Sequence, residues 1–114
     1  MIDELLLRGA DDWVMAADVA WIAKSAGGAA TDEEILDLAV GMITAVVTQG
    51  LMHVGDVTDG GFFEWDLSPE EAIEMVEREW RALGRPPDLG DVCWLANTAA
   101  GDIRAKAISE PREP

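Results

Sequence analysis

The chain has 114 residues, 23 of them acidic against eight Lys and Arg, for a formal net charge of −15. That length is one domain. Its 49% apolar content with five tryptophans can supply a core, which excludes a disordered acidic tail. The negative field disfavours unaided gripping of DNA, RNA or an anionic membrane and favours a basic protein partner.

A single cysteine, Cys93, rules out an intramolecular disulfide and fits a reducing compartment. The opening "MIDELLLRGADDW" lacks the basic start and apolar core of a signal peptide. No apolar run reaches the ~20 residues that span a bilayer. A cytoplasmic location is the expectation. One domain is expected over residues 1–110, with a core of about 1–66, helices over about 68–107, and a disordered tail at 111–114 within "SEPREP".

"IDELLLRG" predicts a first helix, with Ile2, Leu5 and Leu6 on one face and Gly9 as its stop. "DDWVM" predicts an extended segment, with Val14 in a short strand. "AADVAWIAKSAGG" predicts a second helix: Val19, Ile22, Ala23 and Ala26 share a face, and Gly27-Gly28 ends it. "TDEE" opens a third helix with a capping box between Thr31 and Glu34. Its stripe is Ile35, Ala39, Met42, Ile43 and Val46, widened by Leu36, Val40 and Val47. Gly50 closes it in a left-handed conformation.

"LMHVGDV" and "FFEW", separated by "TDGG", predict a β-hairpin. The alternation there leaves the strand register open. "SPEEAIEMVEREWRALG" predicts a fourth helix with Ser68 as N-cap, Pro69 in the first turn and Glu71 completing a capping box. Ala72, Ile73, Val76, Trp80 and Leu83 form its stripe. Gly84 ends it, and Pro86-Pro87 forbids continuation. "GDVCWLANTAAGDIRAKAI" predicts a fifth helix, capped by Asp91 and weakened at Gly101. Val92, Leu95, Ala96, Ala99, Ile103 and Ala107 lie at helical spacing on it.

Helix, short strand, helix, helix and hairpin, with the junction "AVVTQGLMHVGDV", resemble the winged helix-turn-helix fold over roughly residues 1–66. The resemblance implies an α+β, mostly α domain: a winged-helix-like three-helix core, a β-hairpin wing and two C-terminal helices. The Ala, Gly, Asp and Arg habit is also similar to that of small acidic actinobacterial proteins, a likeness of composition that carries no function. Fold and function separate readily, so the scaffold does not imply DNA binding.

The charges argue against it. No Lys or Arg lies between Ser25 and Glu77, an interval that, with Glu77 included, holds twelve acids. A recognition helix presenting Glu34 and Asp37 repels phosphate and releases no counterions. The expected function is therefore a non-enzymatic protein–protein interaction domain with an acidic surface that does not bind DNA directly. The candidate interaction residues are Glu33, Glu34, Asp37, Thr44, Asp56, Asp59, Glu64, Trp65 and Asp66. An acidic surface that is simply solvated is the plainest account of the same residues.

The partner is expected to be a basic protein, and a homodimer through the two C-terminal helices is the expected assembly. Two alternatives use the same residues: an immunity or antitoxin protein neutralising a basic toxin, and a winged-helix transcription regulator. A third, a small enzyme using Cys93 or His53, lacks parts. No G-x-S-x-G elbow accompanies His53, and Cys93 sits among bulky residues as a buried apolar group. One His and one Cys do not build a zinc site, and "DVTDGGFFEWD" lacks the spacing of a calcium loop. No catalytic residue, metal or cofactor is expected. Trp80 and Trp94 are expected to pack near one another in the core, whereas an exposed Trp flanked by acids would anchor an interface.

Overall fold

Local capping chemistry sets where the helices begin. In the computed structural model, which describes residues 1–110, Thr31 Oγ1 accepts from Glu34 N at the start of α3 (Asp32–Thr48). Ser68 and Glu71 form a reciprocal capping box at the start of α4 (Pro69–Leu83). Thr98 Oγ1 accepts from Gly101 N to start α5 (Ala99–Ser109). α1 (Ile2–Asp11) and α2 (Ala16–Ser25) precede them, with the two-residue strand β1 (Val14–Met15) between. Left-handed glycines end two helices: Gly50 follows α3 with φ +71° and Gly84 follows α4 with φ +67°.

The strands β2 (Met52–Thr58), β3 (Gly61–Glu64) and β4 (Trp94–Asn97) join β1 in one antiparallel sheet of order β1-β4-β2-β3. The protein is thus α+β, with five helices and more than half of its described residues helical. Asp59-Gly60 turns the hairpin between the Thr58–Gly61 pair. Among the described residues no helix is long and apolar enough to cross a membrane.

The register fixes the faces that alternation alone left open. Val14, Leu95, Val54 and Met52 point to one side and are buried with Leu5, Leu6, Val19, Ile22, Ile43 and Val46. The stripes of α3 and α4 are buried or half-buried, and α4 packs on α3 while α5 packs on α1. Ala26 departs from its expected stripe: it is the C-cap of α2 and is exposed.

The expected fifth helix over 91–107 is corrected. Its first half is β4, preceded by turns at Gly90 (φ +75°) and Val92 (φ +70°). Cys93 N–H bonds back to Asp91 C=O (2.9 Å) across Val92, a γ-turn that a β-branched residue adopts only under strain. Asp91 caps no helix; its carboxylate accepts from Asp88 N and Arg85 Nη1. The physical reason is pairing: β1 and β2 each offer a strand edge, and Trp-Leu-Ala-Asn fills the gap between them with a period of two.

Gly101 is no weak point. It lies in the first turn of α5, where an added Cβ would sit 2.0 Å from Leu51 O, so glycine lets the helix seat against the chain before β2. The apolar stripe expected on that helix fails with it: Ile103 is 71% exposed, and Ala99 and Ala107 are exposed. The expected tail at 111–114 lies outside the described residues.

Candidate functional site: an aromatic sheet face with an acidic hairpin

The helices pack on one face of the sheet. Strand geometry sends Met15, Trp94, Ala96, His53, Val57, Phe62 and Glu64 to the other. All seven are half-buried or exposed. Trp13, just before β1, lies against this face and is 42% exposed; its ring centroid is 6.4 Å from that of Phe62, tilted by 32°. Beneath them Gly55 supplies the room: a Cβ there would stand 2.8 Å from Phe62 Cζ and 2.2 Å from Phe63 O. Gly55, Phe62 and Trp13 therefore form a small aromatic layer on the outside of the sheet.

The charges around this layer have one sign. The hairpin, residues 52–64, has Asp56, Asp59 and Glu64 but no Lys or Arg, and Asp11 and Asp12 immediately precede Trp13. His53 Nδ1 contacts Glu64 Oε2, both side chains being about half exposed. Among the described residues Asp56, Asp59 and Asp66 make no ion pair. The cations that do pair are held elsewhere. Arg8 reaches Glu4 (3.4 Å) and Asp18 (3.7 Å) and lies 5.3 Å over the Trp21 ring. Arg85 reaches Asp91 (3.0 Å) and Asp88 (3.3 Å).

The nine residues expected to share one surface are distributed over two. Glu33, Glu34 and Asp37 are exposed in the first turns of α3, where Glu33 meets Arg81 of α4 at 3.5 Å. Glu34 Oε1 accepts from the Thr31 hydroxyl. Thr44 is half-buried and donates to Val40 O (2.7 Å), so its hydroxyl is held within the helix. Asp56, Asp59, Glu64 and Asp66 are exposed on or beside the hairpin, whereas Trp65 is half-buried against the core. No ion pair or side-chain hydrogen bond joins the α3 set to the hairpin set.

A pocket of about 250 Å³ lies beside His53 and Glu64, lined also by Trp65, Leu67, Pro69 and Ala72. Its one hydroxyl, Thr98 Oγ1, donates to Gly50 O (2.7 Å) and accepts from Gly101 N. The histidine thus has an acidic neighbour but no free nucleophile. Cys93 is buried, on the approach to β4 rather than on a helix, and burial, helped by the negative charge of Asp56, pushes its thiol up to about 12. A buried thiol held protonated is a poor nucleophile at neutral pH. Among the described residues no group of three His, Cys, Asp or Glu is placed to hold a metal ion.

The residues missed in the sequence are Trp13, Phe62 and Trp94. "FFEW" showed the hairpin, but reading "CWLAN" as helix hid the strand that brings Trp94, Met15 and Phe62 onto one face. Trp94 is half-buried on β4; Trp80 is the core tryptophan of α4, 2% exposed. Comparison with protein-family models, with curated proteins and with solved structures finds no match to this chain.

Proposed function

We propose that this chain is a non-enzymatic protein-interaction module that receives a basic protein partner on its outer sheet face and acidic hairpin. The observation carrying this reading is the Trp13–Phe62 layer, left uncovered beside a hairpin whose only formal charges are acidic. An aromatic anchor that desolvates at the centre, with charge at the rim, is how compact interfaces gain affinity and orientation. The winged helix-turn-helix likeness of residues 1–66 enters as scaffold alone, because the exposed start of α3 carries Glu33, Glu34 and Asp37. Immunity or antitoxin action against a basic toxin is a special case of the same reading.

The regulator reading needs cations free to meet phosphate. Among the described residues Lys24, Arg78, Arg104 and Lys106 make no ion pair, but they lie on α2, α4 and α5 rather than on one element. Self-association through the C-terminal helices is narrowed as well. The apolar stripe of α4 faces α3, which leaves Ile103 of α5 to carry it.

Calorimetric titration at low salt tests the proposal, with a lysine-rich peptide and a duplex oligonucleotide as probes. The peptide is expected to bind, to weaken as salt is added, and to lose about tenfold in affinity on Trp13→Ala. Tight oligonucleotide binding, or peptide binding indifferent to Trp13, would refute it.

A further inference from the structure

The order β1-β4-β2-β3 leaves β3 at an edge of the sheet. Trp65 N donates to Val54 O (2.9 Å), so the hydrogen-bonded pairs of the hairpin run Val54–Trp65, Asp56–Phe63 and Thr58–Gly61. The residues between, Phe62 and Glu64, therefore turn their backbone N–H and C=O away from β2. That makes two donors and two acceptors along an edge on which β3 packs extensively with nothing but β2. Edges of this kind are ordinarily blunted by lysine, proline or a covering element. β3 reads Gly-Phe-Phe-Glu and has none of these. Against another copy of this chain, a net charge of −15 on each molecule does the blunting. Against a cation the same charge attracts.

We propose that β3 takes up an extended, lysine- or arginine-bearing segment of the partner protein as a fifth strand. The inference rests on the docking reading above and adds its mode. The side chains opposite Phe62 and Glu64 come to lie on the outer face of the sheet. There Glu64 meets a cation, and Phe62, backed by Trp13, meets an apolar stem or a second cation. The intervening side chains pass beside Phe63, which is 54% exposed on the other face next to Asp56. The main chain supplies the hydrogen bonds and the alternation supplies the selectivity, as strand addition requires.

The test uses the full chain and a decapeptide alternating lysine and valine. In antiparallel strand addition, the pairing every strand of this sheet already uses, the lysines sit opposite Phe62 and Glu64 and exchange backbone hydrogen bonds with them. N-methylating the lysine amides should then weaken binding by at least about tenfold, whereas N-methylating the valine amides should change it little. On the protein side, Glu64→Pro removes an outward donor and should weaken the parent peptide by about tenfold, and Glu64→Thr by clearly less. Equal binding of both methylated peptides would overturn strand addition while leaving a docking face in place. No binding of any peptide would overturn strand addition together with the docking reading on which it stands.

Discussion

Single residues carry sharp consequences here because several sit where one atom decides. Gly101 is in the first turn of α5, where helix propensity alone says that alanine should stabilise by a few tenths to about 1 kcal/mol. The 2.0 Å approach to Leu51 O reverses that sign. Gly101→Ala is expected to destabilise by about 2 kcal/mol in urea unfolding, the cost of overpacking against backbone. Thr98 acts twice, accepting from Gly101 N and donating to Gly50 O (2.7 Å), so it ties the start of α5 to the end of α3. Thr98→Ala should cost about 1–2 kcal/mol in the same assay. Cys93, its thiol pushed up to about 12 by burial and by Asp56, should resist alkylation at pH 8 in the native protein and react promptly in denaturant. Fast native labelling would show that β4 opens readily.

Among the elements, α2, α3, α4 and the hairpin were legible, whereas β4 and the start of α5 were not, and α1 runs on to Asp11 past its expected stop at Gly9. α3 and α4 carry long stripes of period near 3.6, capped at one end by Thr31 or Ser68 and followed at the other by a left-handed glycine. These are local signals, and they placed both helices in register. β4 has no such signal. Its four residues match helical spacing as well as strand alternation, and what makes them a strand is the non-local pairing of Leu95 with both Val14 and Val54. The aromatic face was lost with it. The acids of the hairpin were visible in the sequence, but Trp13 and Phe62 meet only once the sheet is assembled.

α4 also makes a prediction of its own. Glu71 is held below its ordinary value of 4.5, first by the Ser68 backbone N–H and then by the Ser68 hydroxyl. Asp91 is held below 3.8, first by Asp88 N–H and then by Arg85. Both folded values are lowered, so the stability they contribute is complete above those ordinary values and fades as pH falls through the lowered ones. Stability followed by circular dichroism and urea should therefore decline below about pH 4.5, and Glu71→Gln should make that decline shallower. A decline equally steep in the variant would remove the capping carboxylate from the account.

The whole molecule is dominated by its charge. With −15 spread over 114 residues, self-repulsion opposes compactness, and salt should relieve it. The melting temperature is expected to rise by several degrees between about 10 and 300 mM sodium chloride. The same salt should weaken capture of a basic partner, so stability and binding should move in opposite directions along one titration. A melting temperature that falls with salt would contradict the repulsion argument. The central claim is that the outer sheet face, and not the start of α3, meets the partner. Amide chemical-shift mapping of the full chain with the lysine–valine peptide and then with a duplex oligonucleotide at low salt tests it most directly. The account predicts peptide-induced shifts concentrated on Trp13, Phe62 and Glu64 with the oligonucleotide inert; oligonucleotide-induced shifts running along α3 with a silent sheet would contradict it.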